Sequence, residues 1–140
     1  MRSKTARFAV LDTSLYIDNF RTGRFTFRLL QSSFIVRCSS VVLHELLRGA
    51  RSPLERKFVT ELSRRCRVLT PTERQWSQAA EILSRMRRAE HYEAGKIRDL
   101  AFDVLIALSA RSIGATVVTT NRDDFQIIQR YVSFHLICWE

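Results

Sequence analysis

Short apolar runs alternate along this chain with segments of helical periodicity. The apolar run at residues 8–11 predicts a first strand, and residues 34–36 predict a short second one. Residues 68–69, the β-branched run 116–119 and the apolar run 132–137 complete the predicted strands. Segments of helical periodicity lie between several of these strands.

These intervening segments predict helices. Ser39 or Ser40 is a favoured N-cap for a helix over residues 41–48, which Gly49 ends. Residues 54–65 and 72–88 predict two amphipathic helices, and 89–98 a polar connection. Residues 100–111 are apolar nearly all round, which is typical of a buried helix. Strands that alternate with helices predict an α/β domain with a largely parallel sheet.

Length and composition place this pattern in one globular domain. With 140 residues, of which 46% are hydrophobic, the chain is expected to fold as a single domain over residues 1–140 and not to be disordered. Its three cysteines form no CxxC pair and have no zinc-site spacing with the three histidines. No apolar run reaches the ~18 residues of a membrane span, and 8–11 is too short for a signal peptide. We therefore expect a reduced, cytoplasmic protein without a membrane segment.

Positive charge is the unusual feature of the composition. The formal net charge is +9, and 20 of the 23 cationic side chains are arginines, the remainder being Lys4, Lys57 and Lys96. The planar guanidinium suits phosphate groups, so a nucleic-acid partner is one explanation. A solvated basic surface is the other, and charge alone does not choose between them.

The few acidic residues lie at informative places. Asp12 directly follows the first predicted strand, and Asn121, Asp123 and Asp124 follow the strand at 116–119. The carboxyl ends of parallel strands form the ligand crevice of open α/β sheets, so these two groups should lie close together. Glu45 lies in the first turns of one predicted helix, and Asp103 lies in or at the start of the most apolar one.

Each acid also has a structural explanation. Asp12 could form an Asx-turn, Asp103 could be the N-cap of a helix that begins at Val104, and Glu45 could be an exposed first-turn acid. The pair Asp123-Asp124 could be a solvated turn.

Electrostatics favours a joint explanation. Two carboxylates about 4 Å apart repel by ~1 kcal/mol in water and by ~4 kcal/mol at an effective dielectric constant of ~20. A cluster of acids must therefore take up protons or hold a divalent cation. Oxygen ligands without cysteine or histidine indicate Mg²⁺ or Mn²⁺.

Four segments, in this order, resemble the motifs of the PIN-domain ribonucleases: VLDTS at 10–14, SSVVLHELLRGA at 39–50, DVLIALSA at 103–110 and VVTTNRDDF at 117–125. The second and third are the most specific. The small size resembles that of the VapC toxins of toxin–antitoxin pairs. The resemblance implies a PIN-like α/β/α sandwich around a short, largely parallel sheet, metal-dependent RNA cleavage, a homodimer and inhibition by a VapB-like antitoxin.

The resemblance also assigns residues. Asp12, Glu45 and Asp103 take the positions of the metal-site acids. Many family members have Asp where this chain has Asn121, so Asp124 is the candidate for the missing charge, as a further catalytic and metal-binding acid. The hydroxyls of Thr13, Ser14 and Thr119 or Thr120 are candidates to orient the acids.

The function expected from the sequence is hydrolysis of RNA phosphodiester bonds with Mg²⁺ or Mn²⁺. The candidate side chains for gripping the RNA backbone are Arg48, Arg51, Arg85, Arg87, Arg88, Lys96 and Arg98. A PIN-fold nucleic-acid-binding module without catalysis is the main alternative. A phosphatase with a strand-end Asp nucleophile is less favoured, because the haloacid-dehalogenase pattern needs a second Asp where Ser14 stands. A structural partner whose arginines serve assembly alone is the third alternative.

Overall fold

The computed structural model describes residues 7–140 of the chain, and its strands form one five-stranded sheet. Every neighbouring pair is parallel, and the order across the sheet is β3-β2-β1-β4-β5. The strands are β1 (Arg7–Leu11), β2 (Phe34–Ser39), β3 (Arg67–Leu69), β4 (Thr116–Thr119) and β5 (His135–Cys138). The predicted α/β class is confirmed, and the sheet is entirely parallel.

Helices connect the strands and flank the sheet. They are α1 (Thr13–Thr22), α2 (Thr26–Gln31), α3 (Ser40–Gly49), α4 (Pro53–Arg65), α5 (Glu73–Glu90), α6 (Ala94–Ser112) and α7 (Arg122–Ile128). Contacts join α3 to α1 and α4, and α6 to α5 and α7. The predicted sandwich of helices around a sheet is therefore present. None of the helices in the described range is long and apolar enough to cross a membrane.

Burial in the core explains the apolar sequence of the strands and of the second half of α6. Ala9, Val10 and Leu11 of the central strand β1 are buried, as a strand covered on both faces requires. Eight residues of α6, from Leu100 onward, are buried, which accounts for its nearly continuous apolar sequence. Leu100 and Ile106 are fully enclosed.

The stretch at 89–98, predicted as a polar connection, belongs mostly to two helices. The helix α5 continues to Glu90, His91 turns the chain with a left-handed φ of 57°, and α6 begins at Ala94 after the N-cap Glu93. The polar residues of this stretch lie on the outer faces of helices, so the prediction was wrong about its conformation. The last strand also begins at His135, three residues later than predicted.

Three helices were not predicted: α1, α2 and α7. The helix α2 has no buried residue, and α7 spans only seven residues, so neither carries a clear periodic pattern. Their positions matter because α1 and α7 begin directly after the carboxyl ends of β1 and β4. The backbone N–H of Asp12 still donates to the Val118 carbonyl at 2.9 Å, which fixes the two strand ends side by side.

Candidate metal centre

Asp12 lies at the junction of β1 and α1, at the carboxyl edge of the sheet. Its extended backbone (φ −73°, ψ 158°) makes it the N-cap residue of α1, but its side chain makes no capping bond. Instead Oδ2 accepts hydrogen bonds from Ser14 Oγ at 2.7 Å and from Thr119 Oγ1 at 2.8 Å. The residue is 3% exposed. The Asx-turn explanation is therefore wrong, because both bonds to the carboxylate come from side-chain hydroxyls.

Glu45 is presented to the same edge by α3. Ser39, at the end of β2, caps this helix by accepting from the Val41 N–H at 3.1 Å, and Glu45 is its sixth residue. Its carboxylate is half-buried and accepts a 2.9 Å bond from Thr13 Oγ1. Burial raises the pKa of Glu45, and the negative charge of Asp12 also acts to raise it. The explanation as an exposed first-turn acid is thus wrong.

Asp103 is the tenth of the 19 residues of α6, so it cannot be an N-cap, a place held by Glu93. Burial raises its pKa from 3.8 to about 8, and the charges of Asp12, Glu45 and Asp124 contribute further to this increase. The acids predicted from four separate segments therefore lie within electrostatic reach of Asp103. A proton or a cation is needed to relieve their repulsion.

Asp124 lies in the first turn of α7 and is already paired. Its Oδ1 accepts from Lys96 Nζ at 2.8 Å, and its Oδ2 accepts from Asn121 Nδ2 at 3.1 Å. Burial acts to raise the pKa of Asp124, but these two bonds and the Lys96 charge outweigh it and lower the pKa. Asp124 is thus a half-buried ion-pair partner, and the neighbouring Asp123 is exposed.

Three hydroxyl groups donate hydrogen bonds to the acids, and of the two candidate threonines at the end of β4 it is Thr119, not Thr120, that does so. Thr13 holds Glu45, while Ser14 and Thr119 hold Asp12. Thr119 is fully buried, and it also accepts the Asn121 N–H at 2.9 Å. Thr120 reaches this site through its backbone N–H, which donates to Ser14 Oγ at 3.4 Å. The end of the strand could have identified Thr119, because Thr119 is the last, buried residue of β4 and Thr120 lies beyond it.

The residues predicted to grip RNA fall into two groups. Lys96 forms the ion pair with Asp124 and so belongs to the acid cluster, a pairing that sequence spacing did not indicate. Arg48 is the penultimate residue of α3, and its charge acts to lower the pKa of Glu45, against the larger effect of burial. The other five arginines of the prediction are exposed, and within residues 7–140 none of them forms an ion pair with the acids: Arg51, Arg85, Arg87, Arg88 and Arg98.

Glu45 also borders an apolar cleft of about 170 Å³ between α1, α3 and α4. Its walls include the partly exposed side chains of Ile17 and Phe20, together with Tyr16 and Phe58. The acid cluster therefore has an apolar surface directly beside it.

The donor set suits a hydrated divalent ion. Within the part of the chain described, no three His, Cys, Asp or Glu side chains form a ready-made metal-binding group. Mg²⁺ keeps several water ligands and needs only one or two carboxylates, so full direct ligation is not required. The bonds from Ser14 and Thr119 converge on Oδ2 of Asp12, and Thr13 engages Oε1 of Glu45. These bonds orient Asp12 and Glu45 as outer hydrogen bonds orient metal-ligating carboxylates.

Comparison with known proteins decides the family. The sequence matches the PIN domain over residues 9–131. The chain belongs to the PIN domain family. This membership supports nuclease activity, and PIN domains in general depend on divalent metal ions. No protein with a curated description matches the sequence.

Solved structures of other PIN proteins share the fold. VapBC-1 from nontypeable Haemophilus influenzae superposes with a TM-score of 0.69 at 21% identity, covering 94% of this chain and 98% of that one. VapBC2 from Rickettsia felis, bound to a promoter DNA fragment, gives 0.69 at 19% identity, with 95% and 99% covered. VapBC-5 from Mycobacterium tuberculosis gives 0.62 at 22% identity, with 94% and 98% covered. The match therefore covers nearly the whole length of each of these three chains.

Proposed function

We propose that this PIN-domain protein is a metal-dependent endoribonuclease and the toxin of a toxin–antitoxin pair. The observation that carries the proposal is the grouping of three acids at the carboxyl edge of the sheet: hydroxyl groups hold Asp12 and Glu45 there, and burial together with these neighbouring acids raises the pKa of Asp103 to about 8. A buried cluster of carboxyl groups favours a bound cation, and without one it repels an anion such as a phosphate group.

Mg²⁺ or Mn²⁺ would be held by Asp12, Glu45 and Asp103, with Asn121 and Asp124 at the rim. When bound, such an ion lowers the pKa of a coordinated water and neutralises charge that develops on the phosphate. Thr13, Ser14 and Thr119 fix the carboxylates through the bonds described above. Lys96 supplies a positive charge to Asp124 at 2.8 Å, which limits the net negative charge that an RNA phosphate meets.

RNA is the proposed substrate because the chain combines an acidic centre with a basic exterior. The net charge of +9 attracts a polyanion, and the exposed Arg51, Arg87, Arg88 and Arg98 can bind its phosphates. Arg87 and Arg88 lie shortly before α6, whose first turn carries Lys96. These side chains supply sequence-independent affinity, and the acids supply the chemistry.

The proposed partner is a VapB-like antitoxin. Similarity to VapBC complexes supports this proposal, as does the apolar cleft beside Glu45, which a partner can cover. A basic side chain of the antitoxin would replace the metal, because an arginine fork can engage two carboxylates such as Asp12 and Asp103. Calorimetric titration of the cognate antitoxin should then show weaker binding with saturating Mn²⁺, whereas equal affinities would exclude the displacement of metal.

Inducible expression in a bacterium tests the toxin proposal. Wild type should arrest growth and produce discrete new RNA ends, whereas Asp103→Asn should do neither. The matched control is Asp123→Asn, since Asp123 is exposed and should leave growth arrest intact. Growth arrest by wild type and Asp103→Asn alike, with no new RNA ends, would contradict the proposal.

A PIN-fold RNA-binding module without catalysis is the second candidate function. It is favoured by one observation, the pairing of Asp124 with Lys96 beside a fourth position that is Asn121. RNA binding without measurable Mn²⁺ binding would select this candidate over the nuclease.

A further inference from the structure

An aromatic and cationic cluster lies beside the acids on the outer side of α3 and α6. The rings of His44 and Phe102 meet edge to face, with centroids 5.6 Å apart and planes at 85°. The Arg48 guanidinium lies over the Phe102 ring, with Cζ 5.8 Å from its centroid. His44 and Arg48 are exposed and Phe102 is half-buried. Two aromatic pairs of the core differ from this cluster, since Phe125 is fully buried and Phe134 nearly so, and Phe25 and Trp139 are both buried.

The position of this cluster relative to the acids is fixed by chain connectivity. His44 directly precedes Glu45 and Phe102 directly precedes Asp103, and consecutive Cα atoms are 3.8 Å apart. Arg48 is four residues after His44 and three after Glu45, so it neighbours both on the helix surface. The charges of Arg48 and His44 both act to lower the pKa of Glu45, as expected if they face its carboxylate. Consecutive helix residues point in different directions, so the cluster lies next to the acids along α3 and α6, and the charges of His44 and Arg48 reach Glu45.

We propose that His44, Phe102 and Arg48 form a site that stacks one unpaired base of single-stranded RNA, next to the phosphate held at the acids. This inference rests on the proposed function and adds the form of substrate to it. Aromatic faces and guanidinium planes are the surfaces on which single-stranded bases stack. The edge-to-face contact with Phe102 limits the motion of the exposed His44 ring before a base binds.

The site also predicts which bases are favoured. Stacking tolerates every base but strengthens with ring area, so a purine should be preferred at the stacked position. A double-stranded RNA keeps its bases paired and cannot use the site. The chain is thus expected to prefer single-stranded RNA.

Fluorescence of 2-aminopurine tests the stacking directly. A short single-stranded RNA carrying this base is titrated with protein in the Asp103→Asn background, which prevents cleavage. Stacking should quench the fluorescence. His44→Ala and Phe102→Leu should each abolish the quenching and weaken binding about tenfold, which corresponds to ~1.4 kcal/mol. His44 is exposed, so its substitution leaves folding intact even where Phe102→Leu disturbs the packing.

Trp76→Leu is the matched control. Trp76 lies near the start of α5 and is 53% exposed. The adjacent Gln75 donates from Nε2 to the Leu108 carbonyl at 3.4 Å, which places the start of α5 beside the part of α6 that follows Asp103. Substitution of Trp76 should change neither quenching nor affinity. Unchanged quenching and affinity in His44→Ala would overturn the inference, as would equal loss in Trp76→Leu.

Cleavage separates this inference from the proposed function. If wild type cuts RNA and His44→Ala cuts with a reduced purine preference, both stand. If His44→Ala keeps the wild-type pattern and relative rates of cleavage, base stacking is rejected and the nuclease proposal remains. If wild type does not cut RNA but the quenching depends on His44, the nuclease proposal fails and the stacking site stands.

Discussion

At the residue scale, the main feature of the site is the burial of the Asp103 carboxyl group among other acids, which disfavours its negative charge. Asp103 directly precedes the buried, mostly apolar run 104–110 of α6, and its carboxyl group lies within reach of the charges of other acids. Its pKa of about 8 means that the metal-free protein holds a proton there near neutral pH. A divalent ion would compete with that proton, so binding of Mn²⁺ should release it.

The raised pKa predicts that the metal-free protein loses stability as pH rises. Below about pH 4, Asp103 is protonated in both the folded and the unfolded state, and nothing is lost. Between the unfolded value of 3.8 and the folded value of about 8, the unfolded chain alone releases the proton, so unfolding becomes more favourable. Asp103→Asn removes this effect. In EDTA the variant should unfold at higher urea concentration than wild type. The difference in the free energy of unfolding should grow from pH 5 to pH 8 and exceed ~1.4 kcal/mol, the equivalent of one pKa unit.

The control for this measurement is Asp123→Asn, whose exposed carboxyl group should give no pH-dependent difference. A constant difference between Asp103→Asn and wild type across the same pH range would contradict the raised pKa.

Sequence reasoning identified the acids but not their pairing. Asp12, Glu45 and Asp103 follow from strand ends, helix positions and the motif resemblance, and the structure brings them within electrostatic reach of one another. Lys96 could not be placed, because its bond to Asp124 joins residues 28 positions apart on two helices, and one of these helices was not predicted. Local pattern carries no information about such a contact.

At the element scale, the carboxyl ends of β1 and β4 determine the geometry. Residues on a strand alternate between faces, and the buried Thr119 directs its hydroxyl to Asp12 while Thr120 lies at the turn. The sequence located β4 correctly at Thr116–Thr119 but left the choice between the two threonines open. The boundary between α5 and α6 was harder, since a left-handed residue at His91 separates two helices that are polar on their outer faces.

Strand alternation predicts unequal effects of two similar substitutions. Thr119→Val keeps the shape of the side chain but removes the 2.8 Å donor to Asp12. Loss of such an orienting bond typically costs 10–100-fold in metal affinity or activity, so Mn²⁺ affinity should fall by about tenfold or more. Thr120→Val, the matched control, keeps the backbone N–H that donates to Ser14 and should retain affinity within about twofold. Isothermal titration with Mn²⁺ measures both, and equal losses would contradict the assignment.

At the scale of the whole molecule, opposite charges are separated between centre and exterior. The chain carries +9 overall, yet it gathers acids at one edge of its sheet. This separation was predictable from composition and strand order together. The conformation of the surface arginines was not, because an exposed side chain leaves no periodic signal.

The basic exterior predicts RNA binding that weakens steeply with salt. Each phosphate neutralised contributes a slope of about −0.7 in a plot of log affinity against log salt concentration for single strands. In the Asp103→Asn background, replacing both Arg87 and Arg88 with Gln should reduce the magnitude of the slope by ~1.4. Replacing Arg64 and Arg65 is the matched control, since these arginines end α4 beside Glu61, at the start of β3 and away from the acids. An affinity independent of salt would contradict the role of the basic surface.

The most direct test of the account is cleavage of single-stranded RNA by the purified protein with and without divalent metal. Wild type should cut RNA in Mg²⁺ or Mn²⁺ and lose at least about a hundredfold of its rate in EDTA, since the metal supplies both the activated water and the charge neutralisation. Asp12→Asn should be inactive in either condition while it unfolds cooperatively like wild type. Cleavage that continues undiminished in EDTA, or that persists in Asp12→Asn, would contradict the assignment of the acid cluster as the metal centre of a nuclease.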